Sequence, residues 1–267
     1  MSVFLTECRI TNPEKRTDFP YGLPLFRNGF ALEFSDLTVI SGENGSGKST
    51  FLENLAQKLG YSVYGGTVNQ AAGLETLRVP KETAYNGYRF HEGETDRQDV
   101  FSDSAALSDN MSLVFRNKFK TRNGYFLRAE HLQDLLAQLS DRSAYAECSH
   151  GEGLLKLFGR RMRDGVVILD EPETALSPMR QFDLARMIAE SMRLDTVQYI
   201  VATHSPILMA IPGADFYYIG ADGLKAASYK DSAHFKILRK FFEEPDRYMR
   251  HYLYDGNEGA RKRDIDE

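Results

Sequence analysis

The sequence lacks several features that would assign it to common classes of protein. Only two of its 267 residues are cysteine, Cys8 and Cys148, and their wide separation offers no metal-type spacing and suggests a reducing compartment. No apolar run approaches the ~20 residues that are needed to span a bilayer. The net charge of −5 argues against a protein that coats nucleic acid by bulk charge, although it does not exclude a local basic face.

The sequence also shows neither the pattern of a secretion signal nor a long helical repeat. Residues 1–10 carry Glu7 and Arg9 within a short apolar pattern, without the basic start or the long apolar core of a secretion signal. No internal repeat and no heptad run is visible, which excludes a long coiled-coil arm. We therefore expect a cytoplasmic protein that does not insert into a membrane and that would act on one only through a partner.

The most informative segment is a glycine-rich loop at residues 42–49, which matches G-x-x-x-x-G-K-[ST] at every fixed position. An apolar run at residues 37–40 precedes it, and apolar residues at helical spacing follow it. In a strand, loop and helix of this kind, backbone N–H groups and a helix N-terminus face a bound phosphate. We expect phosphate contacts from Gly42, Asn44, Gly45, Ser46, Gly47, Lys48, Ser49 and Thr50.

Three side chains of this segment have separate predicted roles. Lys48 can reach the outer phosphates, the hydroxyl of Ser49 can ligate Mg²⁺, and Thr50 offers a hydroxyl to an inner phosphate. The alternative is a glycine-rich turn before an ordinary helix, which the spacing and both flanks disfavour.

A second segment places two acids at the end of an apolar run. Residues 166–169 are followed by Asp170, Glu171 and Pro172, and a carboxylate at a buried strand end needs a cation or a hydrogen-bond partner. Asp170 is suited to hold Mg²⁺ through its water shell, and Glu171 to orient or deprotonate an attacking water. The alternative is a surface turn with two solvated acids.

A third segment, Thr203-His204-Ser205, follows the apolar run at residues 197–202. The carboxyl ends of parallel strands share one edge of a sheet, where ligands bind. His204 could therefore reach a γ-phosphate or the attacking water. The alternative is a histidine that caps a helix or lies in the core.

These three segments, in this order, resemble the ABC-type ATPases. The resemblance draws attention to residues 148–153, which look like the signature loop of that family, most like the form in SMC and break-repair ATPase heads. Ser149, Gly151 and Glu152 match that loop, whereas Cys148 and His150 depart from it.

The resemblance implies ATP hydrolysis with ATP and Mg²⁺ as cofactors and with Lys48, Glu171 and His204 as catalytic residues. It also implies that Ser149 and Gly151 close over ATP held by a second subunit, so that a homodimer encloses two ATP molecules. Residues 174–177 occupy the place of the family's D-loop, which crosses that interface, with Ser177 where an aspartate is usual.

Two further family features are harder to place. The Q-loop should lie near residues 124–130, which contain no glutamine, and either Arg128 or Glu130 is a candidate substitute. The aromatic residue that stacks on adenine has three candidates, any of which could instead belong to the core: Phe19, Tyr21 and Phe26.

The resemblance to small stand-alone bacterial predicted ATPases extends over most of the chain, including a late segment at residues 232–248. It predicts an α/β P-loop NTPase of the ABC type: a mixed sheet core, an N-terminal antiparallel β part and a small helical lobe. We expect a single domain at residues 1–255, with the lobe at about 129–164, and a flexible polar tail at residues 256–267.

Three uses of such a module remain open. The first is a soluble ATPase in nucleic-acid transactions or antiphage defence, with an effector protein or a nucleic acid as partner. The signature-like loop and the basic strip at residues 116–128 favour it, although that strip could also be a solvated strand face. The second is the nucleotide-binding subunit of a membrane ABC transporter, and the third is a regulatory or chaperone-like switch.

Overall fold

A computed structural model describes most of the chain, and all structural statements refer to this part of it. The described residues are 4–12, 14–61, 107, 109–116, 124–132, 136, 149–162 and 164–254. Within them, no helix is both long enough and apolar enough to cross a bilayer.

Near its N-terminus the chain builds a small antiparallel sheet. Strand β1 (Leu5–Ile10) lies between β2 (Phe30–Glu33) and β4 (Met111–Phe115), and it pairs with both in antiparallel fashion. One face of the sheet is buried through Leu5, Cys8 and Leu32. The expected N-terminal antiparallel part is therefore confirmed.

A larger six-stranded sheet forms the centre of the molecule. Its strands are β3 (Leu37–Gly42), β5 (Gly124–Arg128), β6 (Gly165–Asp170), β7 (Val197–Ala202), β8 (Asp215–Gly220) and β9 (Gly223–Ala226). Their order is β5-β6-β7-β3-β8-β9, in which the first five strands are parallel and β9 is antiparallel to β8. This mixed α/β sheet, with the glycine-rich loop after β3, is the expected P-loop NTPase fold.

Helices cover both faces of this sheet, which explains why β3, β6 and β7 are buried along their whole length. The helices are α1 (Lys48–Lys58), α2 (His150–Arg161), α3 (Pro178–Met192), α4 (Pro206–Met209), α5 (Ala233–Glu243) and α6 (Pro245–Tyr254). On one face of the central sheet, α1 and the antiparallel sheet pack together, whereas α2 and α3 pack on the other face.

The side chain of Gln198 connects the two sheets. Gln198 is fully buried in β7, and its Oε1 accepts hydrogen bonds from the backbone N–H groups of Phe4 and Leu5 at 3.1 and 2.9 Å. Its Nε2 donates to the carbonyl oxygens of Leu5 and Ser35 at 2.8 and 3.0 Å. Because a buried amide must find such partners, Gln198 fixes the start of β1 against the central sheet.

Several expectations fall partly outside the described residues. The tail at residues 256–267 lies outside them, as do residues 117–123 of the basic strip and much of the expected helical lobe. Within the lobe, α2 is described, together with a short 3₁₀ turn at Ala129–His131. The proposed division into one domain with a helical lobe therefore stays a prediction.

Candidate active site

Strand register gathers the three sequence segments at one edge of the sheet. Arg128, Asp170, Ala202 and Ile40 lie side by side across β5, β6, β7 and β3, each close to the carboxyl end of its strand. Asp170 is the last residue of β6, and the glycine-rich loop, Glu171 and His204 follow the ends of their strands. The expected convergence at a common sheet edge is therefore present.

The loop after β3 has the backbone conformation that its glycines permit. Gly45 and Gly47 have φ angles of 76° and 107°, in the left-handed region that glycine adopts without steric cost. A Cβ atom on Gly47 would lie only 3.0 Å from a ring carbon of Phe26. Asn44 and Gly45 are exposed at the tip of the loop, whereas Ser49 and Thr50 are half-buried in the first turn of α1.

Lys48 folds back over this loop. Its side chain is buried, and Nζ donates hydrogen bonds to the carbonyl oxygens of Gly42 at 2.9 Å and Glu43 at 3.1 Å. Burial lowers the pKa of Lys48, although Glu171 and Asp170 oppose that shift. The buried hydroxyl of Ser46 has no hydrogen-bond partner within the described residues, so the loop offers both a cation and a free polar group to an anion.

The end of β6 brings a carboxylate to the first turn of α1. The hydroxyl of Ser49 donates to Oδ1 of Asp170 at 3.2 Å. Burial raises the pKa of Asp170 to about 7, even though Arg128 and Ser49 both act to lower it. Adjacent ligands of an octahedral Mg²⁺ lie about 3 Å apart, so these two oxygen atoms fit the pair of ligands that the sequence predicts.

Glu171 has an unusual backbone. Its φ and ψ angles of 48° and 52° are left-handed, which costs a non-glycine residue about 1–3 kcal/mol and is common at active sites. Its backbone N–H donates to the carbonyl oxygen of Ala202 at 2.9 Å, which ties the ends of β6 and β7 together. His204 lowers the pKa of the Glu171 side chain, which favours the ionised carboxylate that a general base requires.

His204 has contacts on three sides. Its Nε2 lies 3.3 Å from Oε1 of Glu171, a close approach that lacks the alignment of a full hydrogen bond. Its Nδ1 lies 3.0 Å from Nε2 of His234, and its backbone N–H donates to Oε1 of Glu173 at 2.6 Å. The histidine is thus held between a strand end and two groups that the site prediction did not include.

The two missed residues differ in how visible they are in the sequence. Glu173 lies in the same acidic segment as Asp170 and Glu171, so the segment itself could have suggested a role. His234 follows His204 by 30 positions and lies in the first turn of α5, where no local spacing connects the two. Only the folded chain reveals that contact.

Comparisons with known proteins find similarity to a family model and to an ATP-binding protein. Residues 132–210 match the family model described as "AAA domain, putative AbiEii toxin, Type IV TA system". The chain is also similar to the phosphate import ATP-binding protein PstB of Aeropyrum pernix, at 24% identity over 66% of this chain and 73% of that protein. Residues 132–210 thus resemble an AAA-type ATPase domain.

Two further similarities are to a second import protein and to an SMC head domain. The ribose import ATP-binding protein RbsA of Bacillus licheniformis is 28% identical over 66% of this chain, and the match spans only 36% of RbsA. The SMC head domain from Thermotoga maritima overlaps with a TM-score of 0.41 at 16% identity, covering 84% of this chain and 98% of that one. The sequence is thus similar to that of ATP-binding proteins of importers.

Arg128 is the candidate Q-loop residue that reaches the buried carboxylate of Asp170. Its side chain is only 13% exposed, pairs with Glu53 and Glu130, and places Nε 3.5 Å from Oδ2 of Asp170. Glu130, the other candidate, is largely exposed. Because Arg128 is engaged by carboxylates, it is not part of an exposed basic face, which corrects that part of the strip at residues 116–128.

Ser149 and Gly151 lie at the N-terminal end of α2. The Ser149 hydroxyl caps α2 by accepting from the backbone N–H of Glu152, whose side chain accepts from the backbone N–H of Ser149. A Cβ atom on Gly151 would lie 3.1 Å from the carbonyl oxygen of Ala175, in the expected D-loop region. The two loops expected at a dimer interface are therefore neighbours.

The three aromatic candidates for adenine stacking separate clearly. Tyr21 and Phe26 are fully buried in the core beneath the phosphate loop, so neither offers a ring face to a ligand. Phe19 is 54% exposed and is the one of these three whose ring is accessible to a ligand.

Replacing Arg128 should destabilise the protein more than replacing an exposed arginine. We expect Arg128→Met to lower the free energy of unfolding by about 3 kcal/mol, because it leaves Asp170 buried without its cation. Arg180→Met is the matched control, since Arg180 also contacts two carboxylates but is exposed, and it should cost less than about 1 kcal/mol. Urea unfolding measures both, and equal losses would contradict the assigned role of Arg128.

Proposed function

We propose that this chain binds ATP with Mg²⁺ and hydrolyses it between two copies of itself. The observation that carries the proposal is the meeting of Lys48, the Ser49–Asp170 pair and the Glu171–His204 pair at one sheet edge. A cation, a metal-type oxygen pair and a paired carboxylate are the groups that phosphoryl transfer to water requires.

Each residue then has one task. Lys48 exchanges its loop carbonyl partners for phosphate oxygens, and the loop N–H groups hold the same phosphates. Glu171 accepts the proton of the attacking water, while His204 fixes the direction of that carboxylate. Bound at Ser49 and Asp170, Mg²⁺ supplies charge neutralisation at the phosphates.

The placement of Ser149 supports action across a dimer. Ser149 is exposed, and Gly151 in the first turn of α2 lies against the D-loop region near Ala175. A second copy could therefore present this serine and the N-terminus of α2 to a bound γ-phosphate. Closure of the dimer would complete the site and gate hydrolysis.

Removal of the loop lysine should weaken ATP binding. We expect Lys48→Ala to reduce ATP affinity at least about tenfold, since it deletes a charge-assisted contact worth about 1.5–3 kcal/mol. Lys58→Ala, at the exposed end of the same helix, is the control and should bind ATP like the original protein. Isothermal calorimetry measures both, and unchanged affinity for Lys48→Ala would reject the loop as the phosphate site.

Removal of the general base should separate binding from hydrolysis. We expect Glu171→Gln to keep ATP affinity, to lose hydrolysis by about a hundredfold or more, and to accumulate a dimer in ATP. Glu190→Gln, an exposed change on α3, should remain active. Light scattering and phosphate release report the two effects, and a Glu171→Gln protein that stays monomeric in saturating ATP would contradict the dimer.

Two downstream uses have separate support. The matched family description names a putative toxin of a toxin–antitoxin system, which favours a stand-alone module in antiphage defence or nucleic-acid transactions. The names of the two import proteins favour a transporter subunit instead. We propose the first use, because the signature-like loop resembles SMC and break-repair heads, and we retain the second as the alternative.

Nucleic acid should stimulate ATP hydrolysis if the first use holds. We expect DNA or RNA to raise the rate, with a stimulation that declines steeply between about 50 and 200 mM salt because phosphate contacts release counterions. ATPase assays across that salt range, with heparin as a polyanion control, measure the effect. If neither DNA nor RNA changes the rate of ATP hydrolysis at any salt concentration, the result would contradict the first use and favour the transporter subunit.

A further inference from the structure

Two histidines, His204 and His234, contact each other beside Glu171, and phosphate binding alone does not require this contact. His204 lies between two partners, with Glu171 Oε1 at 3.3 Å from its Nε2 and His234 Nε2 at 3.0 Å from its Nδ1. The ring centroids of the two histidines are 4.7 Å apart, and the planes are tilted by 56°. This is an edge contact between ring nitrogen atoms, not a stack.

A neutral imidazole has one N–H donor and one nitrogen acceptor, so the two contacts of His204 depend on each other. A carboxylate can only accept, and Nε2 of His204 must therefore carry the proton if it is to bind Glu171. Nδ1 is then the acceptor, and its partner must be the Nε2–H group of His234. In the opposite tautomer a lone pair of His204 would face the carboxylate and be repelled.

We propose that His234 is a positioning residue for His204: its Nε2–H group holds His204 in the tautomer whose Nε2–H faces Glu171. This inference rests on the proposed ATP hydrolysis, in which Glu171 accepts the proton of the attacking water. A hydrogen-bonded second group that fixes the tautomer of a functional histidine is a common device in active sites and metal sites.

The surroundings of His234 suit this role. The residue is half-buried in the first turn of α5, where the hydroxyl of Ser232 caps the helix by accepting from the backbone N–H of Phe235 at 3.2 Å. The same hydroxyl donates to the carbonyl oxygen of Tyr229 at 2.7 Å. Burial lowers the pKa of His234, with a further contribution from His204, and so favours the neutral donor.

The contact also makes the reaction depend on the position of a helix that is otherwise lightly attached. All side chains of α5 are described, and none of them is buried. Ile237 and Phe242 are exposed apolar side chains farther along the same helix. A displacement of α5 would therefore separate the two histidines before it disturbed the core.

Substitution of His234 should slow the reaction without weakening substrate binding. We expect His234→Leu to lower kcat about tenfold while KM for ATP stays within about twofold, because only the orientation of His204 is lost. His234→Gln should recover most of the rate, since its amide can donate from a similar position. His251→Leu, an exposed change on α6, is the control.

A double substitution tests whether His234 acts through His204. We expect His204→Ala combined with His234→Leu to be no slower than His204→Ala alone, because the second change removes a support for a group already absent. The proposal is overturned if the two losses multiply, or if His234→Leu keeps kcat within about twofold of the original protein.

Nitrogen NMR of the histidine rings separates this proposal from the proposed function. In ¹⁵N-labelled protein we expect the ring of His204 to be protonated at Nε2 only, and in His234→Leu to show a mixture of tautomers. A protein without ATPase activity but with these signals would contradict the proposed function and retain the histidine contact. Protonation of His204 at Nδ1 in the unsubstituted protein would overturn the tautomer assignment.

Discussion

The buried carboxylate of Asp170 is the constraint around which the rest of the site is arranged. A charge at this depth is unfavourable unless a cation or hydrogen-bond donors surround it, and the chain supplies a donor from Ser49 and a cation from Arg128. Ser49 belongs to the first turn of α1, and Arg128 ends the neighbouring strand β5. One carboxylate thus links the phosphate loop, β5 and β6, and it provides an anionic oxygen where a divalent cation would be held beside a phosphate.

Backbone hydrogen bonds also fix the ends of β6 and β7 to each other. Glu171 holds a left-handed backbone, its N–H bonds to Ala202, and Glu173 accepts from the N–H of His204. These bonds offset the cost of the strained residue and leave its carboxylate directed at His204. Groups held in place before reaction need no reorganisation when charge develops, which is how such sites lower a barrier.

Local patterns predicted the fold class and the position of the glycine-rich loop after β3, because both depend on short segments. The apolar runs before residues 42–49, Asp170 and Thr203 indicated buried parallel strands, and their ends do meet at one edge. Arg128 and His234 could not be assigned in this way, since their roles depend on β5 lying beside β6 and on α5 returning to the site. The burial of Tyr21 and Phe26 could not be predicted either, because the sequence around an aromatic residue near a loop does not reveal whether its ring faces a ligand or the core.

Helix α5 shows how the same contact can serve two purposes. Its first turn is held by Ser232, by a perpendicular ring contact between Tyr229 and Phe235 at 5.4 Å, and by the bond from His234 to His204. The third of these contacts reaches His204, which lies beside Glu171. Coupling between two sites is reciprocal in free energy. A partner that stabilised α5 in this position would therefore favour the tautomer of His204 whose Nε2–H group faces Glu171. A γ-phosphate that ordered His204 would in turn hold α5 in place. A lightly packed helix would then report the state of the nucleotide through one hydrogen bond.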